Sequence, residues 1–286
     1  MKVYIMNAFA DGSEGGNPAG VVYFADKEDL SEDTMQKIAA ELNFSETAFV
    51  HRKNETTFSI RYFTPACEVP LCGHATIAAF SLLRQKGLIT DGIRRLLAGN
   101  EELDIRVSDG IVLMEMPLPV LEEELELPAA ERLCHAFEIE LSDLDRRIPP
   151  RILTAGLRDI HLCVKNRDIL MRARQQEDVI SEISGQFGVT GVHMSCLSPD
   201  DSVTAYCSNF APACGISEEC ATGTSNAGLT FYLYQKGFIL PEQENLFLQG
   251  EHMGRLSKVY SRVLTRDGIS VWIGGRAVCV ADKRIE

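Results

Sequence analysis

The sequence predicts an α+β fold made of two pseudo-symmetric domains, each with a central helix wrapped by a curled sheet. Three observations predict it. A short cysteine-containing turn occurs twice, each time followed by an apolar run that ends in Gln-Lys-Gly. Strand-like alternation of apolar and polar residues surrounds each copy. A Pro- and Glu-rich segment, PLPVLEEELELP at residues 117–128, separates the two halves.

The first half alternates between strand patterns and helical patterns. Ser31 is a natural N-cap for a helix that ends at Leu42, because apolar residues recur there at helical spacing. Asp109 and Gly110 predict a tight hairpin between two apolar runs, at 103–107 and 111–116. Further strands are expected at residues 3–9, 21–24, 47–50 and 58–63.

The two cysteine-containing turns predict the central helices, at residues 76–87 and 224–237. Cys72 aligns with Cys220 at an offset of 148 residues, as Thr76 does with Thr224, whereas the Gln-Lys-Gly ends align at 150. The second helical segment is therefore expected to be two residues longer. Both segments are apolar enough to be buried on most sides, and the paired matches favour a duplicated domain.

The second half repeats this order of elements. A helix is predicted at 129–137. A second series of strands is expected to start near Arg151, with the clearest at 160–164 and others at 203–206, 257–263 and 269–273. We place the domains at residues 1–118 and 119–286, and expect a final strand near 276–286 to return to the first domain.

Charge and length exclude several classes of protein. The chain has 286 residues, with 41 acidic and 28 basic side chains and a net charge of -13. No basic cluster is present, which argues against nucleic-acid binding, although a local pocket can still hold an anion. No apolar stretch reaches the roughly 18 residues of a membrane span, and the N-terminus lacks a signal-peptide pattern. We therefore expect a cytoplasmic protein with no membrane partner.

The nine cysteines are odd in number and scattered, so they are expected to be reduced thiols. Cys72-x-His74 is the nearest approach to a metal-binding motif, and two ligands are too few for zinc. No metal site and no cofactor are expected. A helix N-terminus biases a thiol toward thiolate and holds an anionic substrate through its backbone N–H groups. Cys72 and Cys220 would then be candidate proton carriers beside a bound carboxylate.

Seven motifs occur in order over nearly the full chain: GNPA at 16–19, SETAF at 45–49, FTP at 63–65, LCGHAT at 71–76, FAP at 210–212, ATGT at 221–224, and QG at 249–250 followed by GR at 254–255. Together they resemble the PhzF-like family of phenazine-biosynthesis isomerases, within the diaminopimelate-epimerase superfamily. The resemblance implies two domains, each a barrel-like sheet around a helix, with the site in the cleft between them. It also implies cofactor-free proton transfer and a homodimer.

The resemblance assigns the general acid/base to Glu46, with His74 beside it. The second-half motif of the family, EDPVTGSA, departs here at Glu219, Cys220 and Thr224, and Ser208 lies near the place of a missing family arginine. The resulting Cys-Ala-Thr-Gly resembles the cysteine turn of two-cysteine racemases and epimerases. The thiol pair Cys72 and Cys220 is therefore the alternative acid/base, with Glu219 as a polar helper to Glu46 otherwise.

Small residues after each cysteine would form the carboxylate cradle: Gly73, Ala75, Gly223 and Thr224. Asn17 resembles a loop at the edge of the family's site, and Arg255 is a candidate partner for a substrate anion. These residues predict an isomerase acting on a small anionic, carboxylate-bearing metabolite. The alternatives are a two-cysteine amino-acid racemase or epimerase, and a catalytically silent binding protein of the same fold.

Overall fold

A computed structural model describes residues 1–10, 12, 15–24, 30–200, 202–266 and 268–285. Within them the chain forms eighteen β-strands and six α-helices, a mixed, sheet-dominated fold in agreement with the predicted α+β class. The chain divides into two compact units. The first unit comprises Met1–Glu115 and the chain from Gly274 onward, and the second comprises Met116–Ile273. Among the described residues, no helix is both long and apolar enough to cross a membrane.

The elements of the first unit are, in chain order, β1 (Lys2–Ala8), β2 (Asn17–Phe24), α1 (Glu32–Leu42), β3 (Thr47–Arg52), β4 (Thr57–Phe63), β5 (Glu68–Val69), α2 (Gly73–Gln85), β6 (Gly92–Ala98), β7 (Glu101–Ser108) and β8 (Ile111–Met116). The second unit holds β9 (Val120–Glu124), α3 (Leu127–Ala136), β10 (Arg151–Ala155), β11 (Leu157–Cys163), α4 (Arg167–Arg172), α5 (Glu177–Phe187), β12 (Gly191–Leu197), β13 (Ala205–Ala211), β14 (Ile216–Glu219), α6 (Gly223–Gln235), β15 (Glu244–Gln249) and β16 (Ser257–Leu264). The chain closes with β17 (Ser270–Gly275) and β18 (Ala277–Arg284).

In the first unit, β1 lies between β18 and β2 and is antiparallel to both. β2 is parallel to β3, and α1 joins them. β3 is antiparallel to β4, which is antiparallel to β5 and parallel to β6, with α2 before β6. β6, β7 and β8 follow as antiparallel neighbours. The turn between β7 and β8 has positive φ at both Asp109 and Gly110, as the sequence predicts.

The second unit repeats the same order of pairings. β10 is antiparallel to β11, β11 is parallel to β12, and β12 is antiparallel to β13. β13 is antiparallel to β14 and parallel to β15, with α6 in the connection, and β15 is antiparallel to β16. β9 adds an antiparallel strand beside β10. Each unit therefore carries one long helix in the same topological place, α2 or α6.

These two helices are apolar and almost wholly buried. Every residue from Ala75 to Leu83 in α2, and from Ser225 to Leu233 in α6, is shielded from solvent. α2 packs on β1, β2, β3 and β18, whereas α6 packs on β10, β11 and β16. Helices of this kind gain most of their stability from packing on all sides rather than from an amphipathic face.

The alignment of the two cysteines in the sequence proves wrong. α2 and α6 both have thirteen residues, and their first residues, Gly73 and Gly223, lie 150 positions apart. The offset is therefore 150 at both ends, and neither helix is longer than the other. Both helices also begin earlier than predicted, so that Cys72 and Thr222 are the equivalent N-cap residues. Cys220 lies two residues before its cap.

Two segments outside the predicted strands form strands. Asn17 and Pro18 open β2 and pair with Ala8 and Asn7 of β1. Pro18 is tolerated because the pairing with β3 begins only at Gly20, so the missing N–H is not needed. The Pro- and Glu-rich segment at 117–128 contains β9, whose pairing with β10 overrides the low strand propensity of glutamate. The final position of the predicted closing strand, residue 286, lies outside the described residues.

Candidate functional site

The first cluster of predicted site residues surrounds the N-terminus of α2. Cys72 is the N-cap residue, with extended backbone angles, and the helix begins at Gly73. The hydroxyl of Thr76 donates to the Cys72 carbonyl at 2.7 Å and contacts the hydroxyl of buried Tyr62 at 2.5 Å. These bonds fix the first turn. Its leading N–H groups have no acceptor within the helix, as at any helix N-terminus.

Glu46 is the residue just before β3, and its side chain also lies at the N-terminus of α2. Its carbonyl accepts a hydrogen bond from the Gly20 N–H at 3.2 Å, which extends the parallel β2–β3 pairing by one residue. Gly20 packs tightly here, because a Cβ atom would lie 2.8 Å from both the Thr47 hydroxyl and a Leu42 methyl group. The backbone that carries Glu46 is thereby held against α1 and β2.

The structure brings Glu46, Cys72 and His74 together. His74 Nε2 lies 3.2 Å from Glu46 Oε2 and 3.3 Å from the Ser45 hydroxyl, and His74 Nδ1 lies 3.4 Å from Cys72 Sγ. The contact with Glu46 is a close approach rather than a hydrogen bond, because Oε2 is shielded from solvent yet lacks a partner of suitable geometry among the described residues. Burial lowers the pKa of His74, and the Glu46 charge opposes that shift. The imidazole is therefore neutral near pH 7.

The other predicted residues of the first unit contribute less directly. Gly73 is half-buried, and a Cβ there would lie 3.7 Å from the Met114 Cε atom. Ala75 is completely buried, so only its backbone N–H is available to a ligand. Asn17 is half-buried within β2 and is part of a strand rather than of a loop at the edge of a site.

A second cluster surrounds the N-terminus of α6. Gln249, which is fully buried, accepts hydrogen bonds from the Thr222 N–H and from Asn226 Nδ2, and donates to the Glu219 carbonyl and the Thr222 hydroxyl. The Thr222 hydroxyl donates in turn to the Glu219 carboxylate at 2.6 Å. Glu219 is therefore held by the cap residue of α6. The sequence identified Glu219 but not the role of Gln249, although both lie in the motifs that carry the family resemblance.

Cys220 belongs to the wall of this cluster. It is buried, and burial raises the pKa of its thiol, although the Arg255 charge partly offsets that rise. Gly250 packs against its backbone, since a Cβ on Gly250 would lie 2.9 Å from the Cys220 carbonyl oxygen. Arg255 is exposed, and Gly223 and Thr224 are half-buried in the first turn of α6.

Three polar side chains that the prediction did not place in the site meet beside Glu219. His252 Nδ1 lies 3.2 Å from the Ser208 hydroxyl and 3.6 Å from Glu218 Oε1, and His252 Nε2 lies 3.0 Å from the Met171 carbonyl oxygen. The Glu218 carboxylate raises the pKa of His252. One feature of the sequence could have pointed to this cluster: the arginine expected from the family pattern is missing near Ser208.

The predicted site residues do not line either of two cavities that lie in the second unit. One, of about 480 Å³, lies among β9, α3 and α5, and the other, of about 530 Å³, is bordered by the start of α4 and the end of β12. Among the described residues, Glu46, Cys72 and His74 form the one group of three side chains with metal-binding atoms close together.

Comparison with known proteins agrees with these motifs. The profile described as phenazine biosynthesis-like protein, PhzC-PhzF, matches residues 6–283. An uncharacterized isomerase of Clostridium acetobutylicum is 32% identical over 291 residues, with 98% of this chain and 96% of that protein covered.

Two solved structures illustrate the fold. The crystal structure of a Bacillus anthracis phenazine biosynthesis protein of the PhzF family has a TM-score of 0.85 at 26% identity, and covers 100% of this chain and 99% of its own. A hydroxyproline epimerase from Agrobacterium vitis shares the fold more remotely, with a TM-score of 0.59 at 12% identity and coverage of 99% and 91%. The profile match and the relative both span nearly the whole chain, and the chain belongs to the phenazine biosynthesis-like (PhzC-PhzF) family.

Proposed function

We propose that this protein is a cofactor-independent isomerase that moves a proton between carbons of a small, carboxylate-bearing, unsaturated metabolite, with Glu46 as the acid/base. One observation carries the assignment of Glu46. Its Oε2 atom is shielded from solvent, lies beside the neutral imidazole of His74, and has no hydrogen-bond partner among the described residues. A carboxylate oxygen in this setting can accept a proton from carbon and return it. Isomerase-named relatives support the reaction class.

The reaction needs one base that acts twice. The Glu46 carboxylate takes the proton, so that a C–H bond breaks, an O–H bond forms, and the electron pair delocalises into the neighbouring double bond. The same carboxyl group then returns the proton to another carbon as the double bond shifts. The first-turn N–H groups of α2 would bind the substrate carboxylate by donating hydrogen bonds to it. Glu219, fixed by Thr222, is proposed as a polar helper.

The two-cysteine racemase remains the alternative, and two observations weigh against it. Thr222, not Cys220, occupies the position equivalent to Cys72. Burial also raises the pKa of Cys220, which disfavours the thiolate that a base must provide.

A catalytically silent binding protein is the second alternative, since the second-half motif departs from the family pattern. We also propose that the protein is a homodimer, which sedimentation analysis would test.

The test is proton exchange with solvent. The full-length protein is incubated in deuterated water with a panel of amino acids and cyclohexadiene carboxylates, and NMR follows deuterium incorporation at carbon. We expect wash-in for at least one carboxylate, and a loss of about 10²–10⁴-fold in Glu46→Gln. Glu41→Gln, an exposed position on α1, is the matched control. A protein that exchanges no proton with any compound, or a Glu46→Gln variant as active as the wild type, would contradict the proposal.

A further inference from the structure

We propose that Glu46, Cys72 and His74 form a binding site for a thiophilic divalent cation of the zinc class, and that such an ion inhibits the protein by occupying its acid/base groups. The inhibition rests on the proposed function, but cation binding does not. The sequence contains only Cys72-x-His74 as a recognisable ligand pair, because Glu46 lies 26 residues before Cys72 and joins them only in the folded chain.

The ligand set fits zinc in both chemistry and spacing. Thiolate, imidazole and carboxylate are its three common protein ligands. Their donor atoms here all lie within 4.8 Å of one another. Ligand atoms around a tetrahedral zinc are separated by roughly 3.3–3.6 Å, given its bond lengths of about 2.0–2.3 Å. His74 Nε2 and Glu46 Oε2 lie 3.2 Å apart, and Cys72 Sγ and His74 Nε2 lie 4.0 Å apart. The thiol and the imidazole nitrogen would need to approach each other by about 0.4–0.7 Å to reach this spacing.

Access and the fourth ligand also fit. The side chains of Glu46 and His74 are 21% and 13% exposed, so part of each ligand residue is in contact with solvent. Three protein ligands with the fourth position left to water or substrate is the arrangement found in catalytic zinc sites, so three groups are enough to hold the ion. The buried Oε2 atom of Glu46 lacks a hydrogen-bond partner among the described residues, and it would instead coordinate the cation.

Some of the charges around the three ligands favour cation binding and others oppose it. Zinc binds cysteine as the thiolate, so binding releases the thiol proton. The positive N-terminal end of α2 opposes a cation, but it also lowers the cost of forming the Cys72 thiolate. The carboxylate of Glu46 supplies the second negative charge that makes the complete site neutral with a divalent ion.

Titration with Co²⁺, a spectroscopic substitute for Zn²⁺, tests binding without any substrate. We expect one ion per chain, a thiolate-to-cobalt charge-transfer absorption, and displacement of Co²⁺ by Zn²⁺. Cys72→Ser should abolish that absorption, and Glu46→Gln and His74→Gln should each weaken binding at least about tenfold. Cys67→Ser, an exposed thiol of the same unit, is the control and should bind as the wild type does.

The proposal is overturned if wild-type protein shows no saturable 1:1 binding, if the absorption survives in Cys72→Ser, or if binding is unchanged in Glu46→Gln. Circular dichroism of each variant excludes loss of fold as the reason for lost binding. Inhibition is measured separately: Zn²⁺ should suppress deuterium exchange, and a chelator should restore it. If no exchange is found for any compound but the cobalt titration behaves as expected, the proposed function fails and the cation site stands.

Discussion

The Nε2 atom of His74 lies 3.2 Å from the Oε2 atom of Glu46, yet the hydrogen bond of that nitrogen is with the Ser45 hydroxyl. The other ring nitrogen contacts the Cys72 thiol. His74 is thus held on both sides, while the adjacent Oε2 atom of Glu46 accepts no hydrogen bond from the described residues. Because burial lowers the pKa of His74, it does not place a fixed positive charge beside Glu46.

This arrangement predicts the effect of replacing the imidazole. His74→Gln should lower the rate of deuterium exchange by about 10²-fold, at the lower end of the contribution of an acid/base group, because Glu46 keeps its chemistry but loses its neighbour. Ser45→Ala, which removes only the hydrogen bond to Nε2, should have a smaller effect. The measurement is the initial rate of wash-in under saturating substrate. Exchange in His74→Gln that matches the wild-type rate would contradict the arrangement.

Cys220 is predicted to be dispensable for catalysis. Cys220→Ala should retain the exchange rate within about threefold, because the thiol is buried with a raised pKa and does not hold the position equivalent to Cys72. Stability should fall by about 1 kcal/mol for the lost side-chain packing. Exchange rates and urea unfolding are measured on the same preparation. A folded Cys220→Ala protein that has lost exchange a hundredfold would instead favour the two-cysteine mechanism.

Local signals in the sequence were sufficient for much of the fold. Ser31 caps α1 as predicted, with its side chain accepting from the Thr34 N–H, and the turn at Asp109 and Gly110 closes the expected hairpin. These features depend on residues within a few positions of one another. The proximity of Glu46 to Cys72 and His74 instead depends on strand pairing, and was accessible only through the ordered family motifs.

The misalignment of the two cysteines has a physical explanation. Matching Cys72 to Cys220 used residue identity, whereas helix register is set by burial and by the end of the helix. The buried runs begin at Ala75 and Ser225 and both helices end before a glycine with positive φ, Gly87 or Gly237. Either criterion gives an offset of 150. The strand at Asn17 could not be found locally, because pairing with β1 determines where β2 begins.

Acid should destabilise the second unit through two buried histidines. His161 and His193 are neighbours on β11 and β12, with ring centroids 5.2 Å apart, and burial lowers the pKa of both, that of His193 to about 4. The unfolded chain, with a pKa of about 6.5, binds the proton more readily. The stability that depends on neutral His193 is therefore present above pH 6.5 and is lost as pH falls toward 4. Between pH 7 and pH 5 the loss is about 2 kcal/mol from His193 alone.

Urea unfolding at pH 7 and pH 5 checks this prediction. His193→Asn should lower stability at pH 7, yet reduce the pH-dependent loss by about 2 kcal/mol compared with the wild type. His135→Asn, at an exposed position of α3, should leave the loss unchanged. The difference between variant and wild type matters here, because His252, whose pKa is raised, contributes with the opposite sign. An equal pH-dependent loss in His193→Asn and wild type would show that His193 is not responsible.

Two glycines in the turn after β15 should respond differently to the same substitution. Gly250 has φ of +86°, and a Cβ atom there would lie 2.5 Å from the Arg255 carbonyl oxygen and 2.9 Å from that of Cys220. Gly254 has φ of +62°, and nothing lies within 4 Å of its Cβ position. Gly254→Ala should therefore cost only the backbone strain of about 1 kcal/mol, whereas Gly250→Ala adds a clash with backbone and should cost about 3 kcal/mol or more.

Because the Arg255 N–H donates to the Gly250 carbonyl, the clash also displaces the arginine that we expect to contact the substrate anion. Gly250→Ala should raise KM for the exchanging carboxylate at temperatures where the variant is still folded, whereas Gly254→Ala should not. Thermal unfolding and the substrate dependence of deuterium wash-in separate the two effects. If both variants lose the same stability and keep the wild-type KM, the turn neither packs on Cys220 as described nor positions Arg255 for binding.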